Sequence, residues 1–179
     1  QFYLALFRYV EVLTKKGTYE TALTYCKVLL GLSPDQDPLG VRYFIDFYAI
    51  LAGQYQYLID FVESSLVKTY AKWVTPGLAY STVLAYLKLD DKTKAKEALK
   101  TAFVKHPFVG YKLLEAIGLA SDIPVVDHSV FQVGEETELS TEAYLLRAPI
   151  LWNESSDRQF LHDALMEILK DNALKFQPQ

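Results

Sequence analysis

Cysteine is almost absent: a single residue, Cys26, stands in a chain of 179. No intrachain disulfide can form, which fits a reducing compartment, cytosol or nucleus. Histidine is nearly as scarce. His106, His128 and His162 lie apart, and none has Cys or His three or four residues on, so the usual zinc-ligand spacing is missing. The eight glycines are scattered, leaving no Gly-x-Gly-x-x-Gly or Walker-type loop to cradle phosphate and no Gly-x-Ser-x-Gly elbow. The longest uncharged run, Trp73 to Leu87, has 15 residues and includes Pro76 and Gly77, too short and too broken for a membrane span. A basic excess is lacking too. With 18 Lys and Arg against 22 Asp and Glu, the net charge of −4 argues against a dedicated nucleic-acid binder.

What remains is apolar: 51% of the residues are hydrophobic and 14% aromatic. A chain of this size buries about 70% of its unfolded surface, enough for a core without staples. Helical periodicity dominates its first two-thirds. Tyr19, Ala22, Leu23, Cys26, Leu29 and Leu30 form one stripe; Tyr55, Leu58, Ile59, Val62 and Leu66 form another, and Ala95, Ala98, Leu99, Ala102 and Phe103 a third. Between these amphipathic helices lie more uniformly apolar ones. Phe2 to Leu13 carries only Arg8 and Glu11 as charges, and Val41 to Ala52 only Arg42 and Asp46. Helices apolar almost all round need cover on most sides, so they read as inner helices alternating with outer ones.

The punctuation agrees. Gly17 and Gly53 suit left-handed helix ends, each with a Tyr two residues later to open the next helix. Asp37-Pro38, Thr75-Pro76 and His106-Pro107 read as helix starts, with Asp37 and Thr75 as N-caps and proline in the first turn. Gly17-x-Tyr19 recurs as Gly53-x-Tyr55, and Ala22 with Pro34 recurs as Ala95 with Pro107. A period in the mid-thirties is the signature of tetratricopeptide-type stacking. The expectation is an all-α fold: an α-solenoid of about three antiparallel helix pairs, loosely tetratricopeptide-like, over residues 1–118. Phe2 to Leu13 is too apolar for an outer cap, which predicts more protein before Gln1.

Residues 119–142 hold six acids and no Lys or Arg, with Ile123, Val125, Val126, Val130, Phe131 and Val133 in no helical stripe. They predict an acidic extended connection over 119–140, packed along the helices. C-terminal helices over 141–175 then pack on the repeat. One starts at Ser140 or Thr141 and ends or kinks near Arg147 ahead of Pro149. Another is led by a capping box at Ser156 to Gln159.

Chemistry is harder to find. Cys26 sits within an apolar stripe as a small hydrophobe, without the adjacent base and solvent access a nucleophile needs. Asp35 and Asp37 could pair as carboxylates, but a cap and its preceding loop account for them. Lys92, Lys96 and Lys100 line one helix edge, read as a solvated face, with RNA, an acidic partner or the chain's own acidic arm as alternatives. The 13 tyrosines, Tyr43, Tyr48, Tyr55, Tyr57, Tyr70, Tyr80 and Tyr86 among them, read mainly as packing between helices, as do Trp73 and Trp152. The residues alone stop at a protein-interaction scaffold with no catalytic residue, metal or cofactor.

Several segments together resemble a known family. Phe2 to Tyr9, the run Ala22 to Gly40 with Asp37-Pro38-Leu39-Gly40, Ile45-Asp46-Phe47, Pro107 with Leu113-Leu114-Glu115, Tyr144, Arg147, Leu151-Trp152 and Phe160-Leu161 follow in order. This set resembles the ribosome quality control complex subunit 1 family, whose animal members are called transcription factor 25. The resemblance makes Arg8, Asp37, Pro38, Leu39, Gly40, Asp46 and Trp152 structural motif residues and leaves the protein-binding surface open. It implies a non-enzymatic cytoplasmic scaffold, with the nucleus as a second location. Such a scaffold works with the ubiquitin ligase listerin, ubiquitin, the valosin-containing unfoldase ATPase and the large ribosomal subunit. No membrane and no small-molecule substrate are implied. The alternatives are a generic tetratricopeptide-like module with a peptide in its groove, or a transcriptional-repressor interaction domain.

Overall fold

The computed structural model describes residues 2–70, 74–122 and 134–175, and every regular element among them is helical. In order these are α1 (Phe2–Lys15), α2 (Tyr19–Leu32), a 3-10 turn (Val41–Tyr43), α3 (Ile45–Leu51), α4 (Tyr55–Glu63) and α5 (Ser65–Thr69). Then come α6 (Pro76–Lys88), α7 (Lys92–Lys105), α8 (Pro107–Ala116), α9 (Glu135–Leu151) and α10 (Ser155–Lys175). Each of α1–α2, α3–α4 and α6–α7 is a packed pair, and α2 packs on α3, α4 on α6 and α7 on α8. This is the alternation of a helical solenoid.

The hairpin corners share one construction. Gly17 at φ +72° closes α1, with Thr18 N–H donating to Leu13 O at 3.0 Å. Gly53 at φ +71° closes α3, with Gln54 N–H on Ala49 O at 2.9 Å. The left-handed residue turns the chain and lets orphan carbonyls of the last turn be satisfied. The same six-residue closure ends α6 at Asp90, φ +60°, and α8 at Gly118, φ +78°. So the corner recurs after α1, α3, α6 and α8, twice more than the Gly-x-Tyr pattern shows. Aspartate tolerates this conformation better than most residues, which is how the repeat persists without glycine.

Thr75 and Pro76 start α6 as expected: Thr75 Oγ1 accepts from Leu78 N–H at 3.1 Å. Asp37-Pro38 does not start a helix. Asp37 sits at φ +40°, and its buried carboxylate accepts from the N–H groups of Val41 (2.8 Å) and Arg42 (3.0 Å). It therefore caps the 3-10 turn four residues on, and α3 begins only at Ile45, because Pro38 to Gly40 form a turn with Gly40 at φ +63°.

Helix α9 starts at Glu135, six residues inside the span expected to be extended. Its first turn carries Glu135, Glu136 and Glu138, where the N-terminal end of the helix dipole favours carboxylates. The apolar run Ile123 to Val133 lies outside the described residues. Pro149 does not end α9 at Arg147; the helix runs on to Leu151. One lost hydrogen bond one turn from the end is outweighed by burial of Ala148, Leu151 and Trp152, and Trp152 N–H closes the turn on Ala148 O at 2.8 Å. Helix α10 begins one residue ahead of Ser156, and Asp157, within the expected capping box, pairs instead with Lys88 Nζ at 2.8 Å.

Candidate functional site: the seat of α9

Helix α6 is buried from Pro76 to Ala85 on all but one position, because α3, α4, α7 and α9 surround it. The helices that α9 covers are α3, α6 and α8, the first helices of successive units. This side of α3, α6 and α8 is thus covered by the chain itself, which accounts for the apolar surface of α3 and α6, while α1 keeps Leu4, Tyr9 and Val12 exposed.

A buried polar cluster fixes this seat. Ser81, in the middle of α6, places Oγ 2.6 Å from Asp46 Oδ2 on α3 and 3.3 Å from the Tyr144 hydroxyl on α9. Ser81 Oγ–H is the donor toward both, a single hydroxyl hydrogen shared between two acceptors. Trp152 Nε1–H then donates to the Tyr144 oxygen at 3.1 Å. The result is a relay from Trp152 through Tyr144 and Ser81 to Asp46, with every residue at 1% exposure or less. Burial raises the Asp46 carboxyl above the usual carboxylate range, against the opposing pull of the Arg147 charge and the Ser81 hydrogen bond. Among the described residues, Asp46 Oδ1 has no hydrogen-bond partner. Burial likewise pushes the Tyr144 hydroxyl far up, so it stays neutral.

Two further latches hold α9. Arg147 donates from Nη2 to Tyr43 O at 2.6 Å and lies over the Phe47 ring at 5.6 Å. Near the other end, Glu136 accepts from Arg42 Nη2 at 3.2 Å and bonds the Tyr43 hydroxyl. Arg42 is itself oriented by the Asp37 loop, with the two charges 3.8 Å apart. Close approach needs Gly77: a Cβ there would lie 2.8 Å from Tyr144 Cδ2.

Most of the motif residues therefore converge on one place. Asp37, Pro38, Leu39 and Gly40 build the loop that presents Arg42, while Asp46 and Trp152 sit in the relay. Arg8 does not join them; it is exposed on α1 beside the exposed Leu4, Tyr9 and Val12. Sequence reasoning missed Ser81 and Gly77. Their signal was a Pro-Gly pair and a Ser-Thr pair inside an otherwise apolar helix.

Other candidates fall elsewhere. Cys26 is fully buried, and burial pushes its thiol up to about 12, the opposite of an activated nucleophile. Lys96 pairs with Glu167 of α10 at 2.9 Å, and residues 123–133 of the acidic arm lie outside the described residues. His162 neighbours Asp163, His106 ends α7, and His128 and Trp73 lie outside the described residues. Tyr48 and Tyr80 are buried; Tyr43, Tyr55, Tyr57 and Tyr86 are partly so, and Tyr70 is exposed. A groove of about 530 Å³ runs between α4, α5, α6 and α7, with an aliphatic floor including Ile59, Val62 and Val67 under Glu63 and Lys94. Among the described residues no group of three His, Cys, Asp or Glu is placed to hold a metal, and no helix is long and apolar enough to cross a membrane.

The chain is similar to several curated proteins. Ribosome quality control complex subunit 1 of Saccharomyces cerevisiae is 41% identical over 176 residues, covering 96% of this chain and 24% of its own length. Ribosome quality control complex subunit TCF25 of Homo sapiens is 33% identical, covering 94% of this chain and 28% of its own length. The subunit 1 of Schizosaccharomyces pombe is 27% identical over 91% of this chain. The chain thus spans about a quarter of the length of the curated relatives it matches. No solved structure matches it. The family model described as transcriptional repressor TCF25 matches residues 1–177, and with it the chain is placed: it belongs to the Tcf25 family.

Proposed function

We propose that this chain is the helical scaffold of a ribosome-associated quality control subunit. In this reading it is non-enzymatic and works in the cytoplasm at the large ribosomal subunit. It assists the ligase listerin in placing proteasome-directing ubiquitin chains on stalled nascent peptides and promotes recruitment of the valosin-containing unfoldase ATPase. The observation that carries it is that relatives matching nearly the whole chain, in budding yeast, fission yeast and human, bear the quality-control name. The geometry supports a positioning role. A solenoid with its inner face filled by its own helix is a rigid block, and a rigid block can hold a ligase and an acceptor ubiquitin at fixed separation. Linkage is then selected by which lysine faces the donor thioester.

The test is reconstituted ligation on stalled large subunits, with and without the full-length protein, read by linkage-specific mass spectrometry. Enrichment of the proteasome-directing linkage is expected, and an unchanged linkage distribution refutes the reading. A transcriptional-repressor role is a second reading, favoured by the family's own description. A peptide captured in the inner groove is disfavoured, because α9 already lies there.

A further inference from the structure

Helices α4 and α7 both pack on α6, and the gap between them is the groove of about 530 Å³, lined by no residue of α9. Because α6 and α7 meet through the tight corner at Asp90, the groove has two distinct ends. At the corner end a second hollow of about 420 Å³ continues it, sharing Ile59, Glu63, Tyr86 and Lys94. This end is acidic, with Asp60, Glu63, Asp91 and Glu97 set against Lys94 alone among the described residues. Tyr86 lies in the same field: its hydroxyl is held above the usual phenol range by burial first, then by Glu63, Asp91 and Glu97. The far end, where α7 finishes near α5, carries Lys68 and Lys105. Unlike Lys88, Lys96 and Lys112, neither is paired with a carboxylate among the described residues. Between the ends the lining is small or aliphatic, with Ala79, Ala98 and Ala102 sharing the space with Ile59, Val62 and Val67. Thr82 and Thr101 offer no donor there, because each hydroxyl hydrogen is spent on its own helix, on Leu78 O at 2.7 Å and Glu97 O at 3.1 Å.

These features select an occupant. Helical walls offer no free backbone N–H or C=O, so an extended peptide in the apolar middle would lose its hydrogen bonds to water without replacement. A small polar molecule finds no group converging there. A helix satisfies its own backbone and needs only apolar contact and close approach, which small side chains permit. We propose that the α4–α7 groove takes an amphipathic helix of a partner protein, about three turns long, with an aliphatic face, acids in its first turn and bases in its last. It lies antiparallel to α7. Its first turn meets Lys68 and Lys105, and its last turn meets Asp60, Glu63 and Asp91. Lys94 to Lys105 spans about 16 Å of α7, the length of three turns. That charge order is also the one a helix dipole favours, so the residues that recognise the partner helix also stabilise it. A second copy of this chain answers only one end: α9 exposes Leu139, Leu146 and Ile150 behind an acidic first turn, but has no base in its last turn.

The test uses the full-length protein and a fluorescent, side-chain-stapled helical peptide of this pattern, glutamates first, leucines along one face and lysines last. Its control has the same composition with lysines first and glutamates last, and stapling keeps both helical. The first peptide should bind with Kd below about 100 µM, at least fivefold more tightly than the second, and the preference should fade as salt rises. Thr101→Arg, at an exposed position in the groove and with better helix propensity, should weaken the first peptide at least tenfold. Lys68→Glu with Lys105→Glu, both exposed, should reverse the preference between the two peptides. Val104→Ser, 77% exposed on α7 outside the groove, should change neither. Unchanged thermal melts show that the variants keep the stack. Failure of both peptides to bind at about 1 mM overturns the proposal, as does binding that Thr101→Arg leaves intact. Indifference of the wild type to charge order removes the assigned occupant. Self-association that Thr101→Arg abolishes gives the groove to a second copy and overturns it equally.

Discussion

Replacing Tyr144 with phenylalanine removes one oxygen atom from the centre of the α9 seat and little else. In the wild type that oxygen accepts from Trp152 Nε1–H at 3.1 Å and bonds Ser81 Oγ at 3.3 Å. After the change Ser81 still has Asp46 at 2.6 Å, but the indole N–H of a fully buried tryptophan has nowhere to go. An orphaned buried donor costs about 1–3 kcal/mol, more than the bond itself contributed. Because the lost partner joins α9 to its own C-terminal cap against α6, the cost should fall on seating of α9 before it reaches the stack. Every 1.4 kcal/mol is about tenfold in an equilibrium, so opening of α9 should rise roughly 5- to 150-fold. Peptide-resolved hydrogen exchange of the full-length protein reads this directly: segments across α9 should exchange faster, and α2 much less so. Tyr57→Phe, on a half-buried ring of α4, is the control and should change exchange and stability by no more than about 0.5 kcal/mol. If Tyr144→Phe behaves like that control, the relay does not hold α9 and the reasoning fails.

Three other outcomes follow from the same geometry. Gly77→Ala places a methyl 2.8 Å from the enclosed Tyr144 ring and should lower stability by about 1–2 kcal/mol despite its better helix propensity. Gly31→Ala, exposed in α2 with nothing within 4 Å, should raise it by about 0.5–1 kcal/mol; thermal melts that move both in one direction refute the assignment. Asp46 has a native pKa above its unfolded value, so the native state binds the extra proton and stability falls as pH rises from the carboxylate range through that raised pKa. Asp46→Asn keeps an acceptor for Ser81 without the buried charge. Urea titrations across pH 4 to 8 should therefore show the variant gaining on wild type as pH rises, and a constant or opposite difference would be fatal. Finally, Cys26 should resist a thiol alkylator in the native state and react only as fast as the domain opens; fast native labelling would contradict its burial.

What could be read from the chain alone divides by the range of the interaction. Helix stripes and glycine corners are local, and the pairs they predict are present. The corner at Asp90 went unread because aspartate is common in every kind of turn, while its left-handed backbone is visible only in coordinates. Asp37 was correctly expected to accept backbone N–H groups, but which ones depends on the turn at Gly40, and that moved the start of the helix by seven residues, from Pro38 to Ile45. The acidic stretch before Tyr144 reads as an arm because residues 119–142 hold six acids, no Lys or Arg, and apolar residues in no helical stripe. Glu135, Glu136 and Glu138 are equally what the first turn of a helix prefers, and the burial of Tyr144 and Trp152 further along decides between the two.

The seat itself was out of reach for a different reason. Ser81 meets Asp46 across 35 residues of sequence and Tyr144 across 63, and neither spacing carries a period. Yet the consequence was present as an unexplained excess. Inner helices of an open solenoid keep a polar groove face for their ligands, whereas Val41 to Ala52 has only two charges, and both, Arg42 and Asp46, are spent on holding α9. On α3 the missing polarity is matched by the cover that α9 gives it, whereas α1, as poor in charge, leaves Leu4, Tyr9 and Val12 exposed. It follows that a ligand reaching α3, α6 or α8 from that side has to displace α9 first.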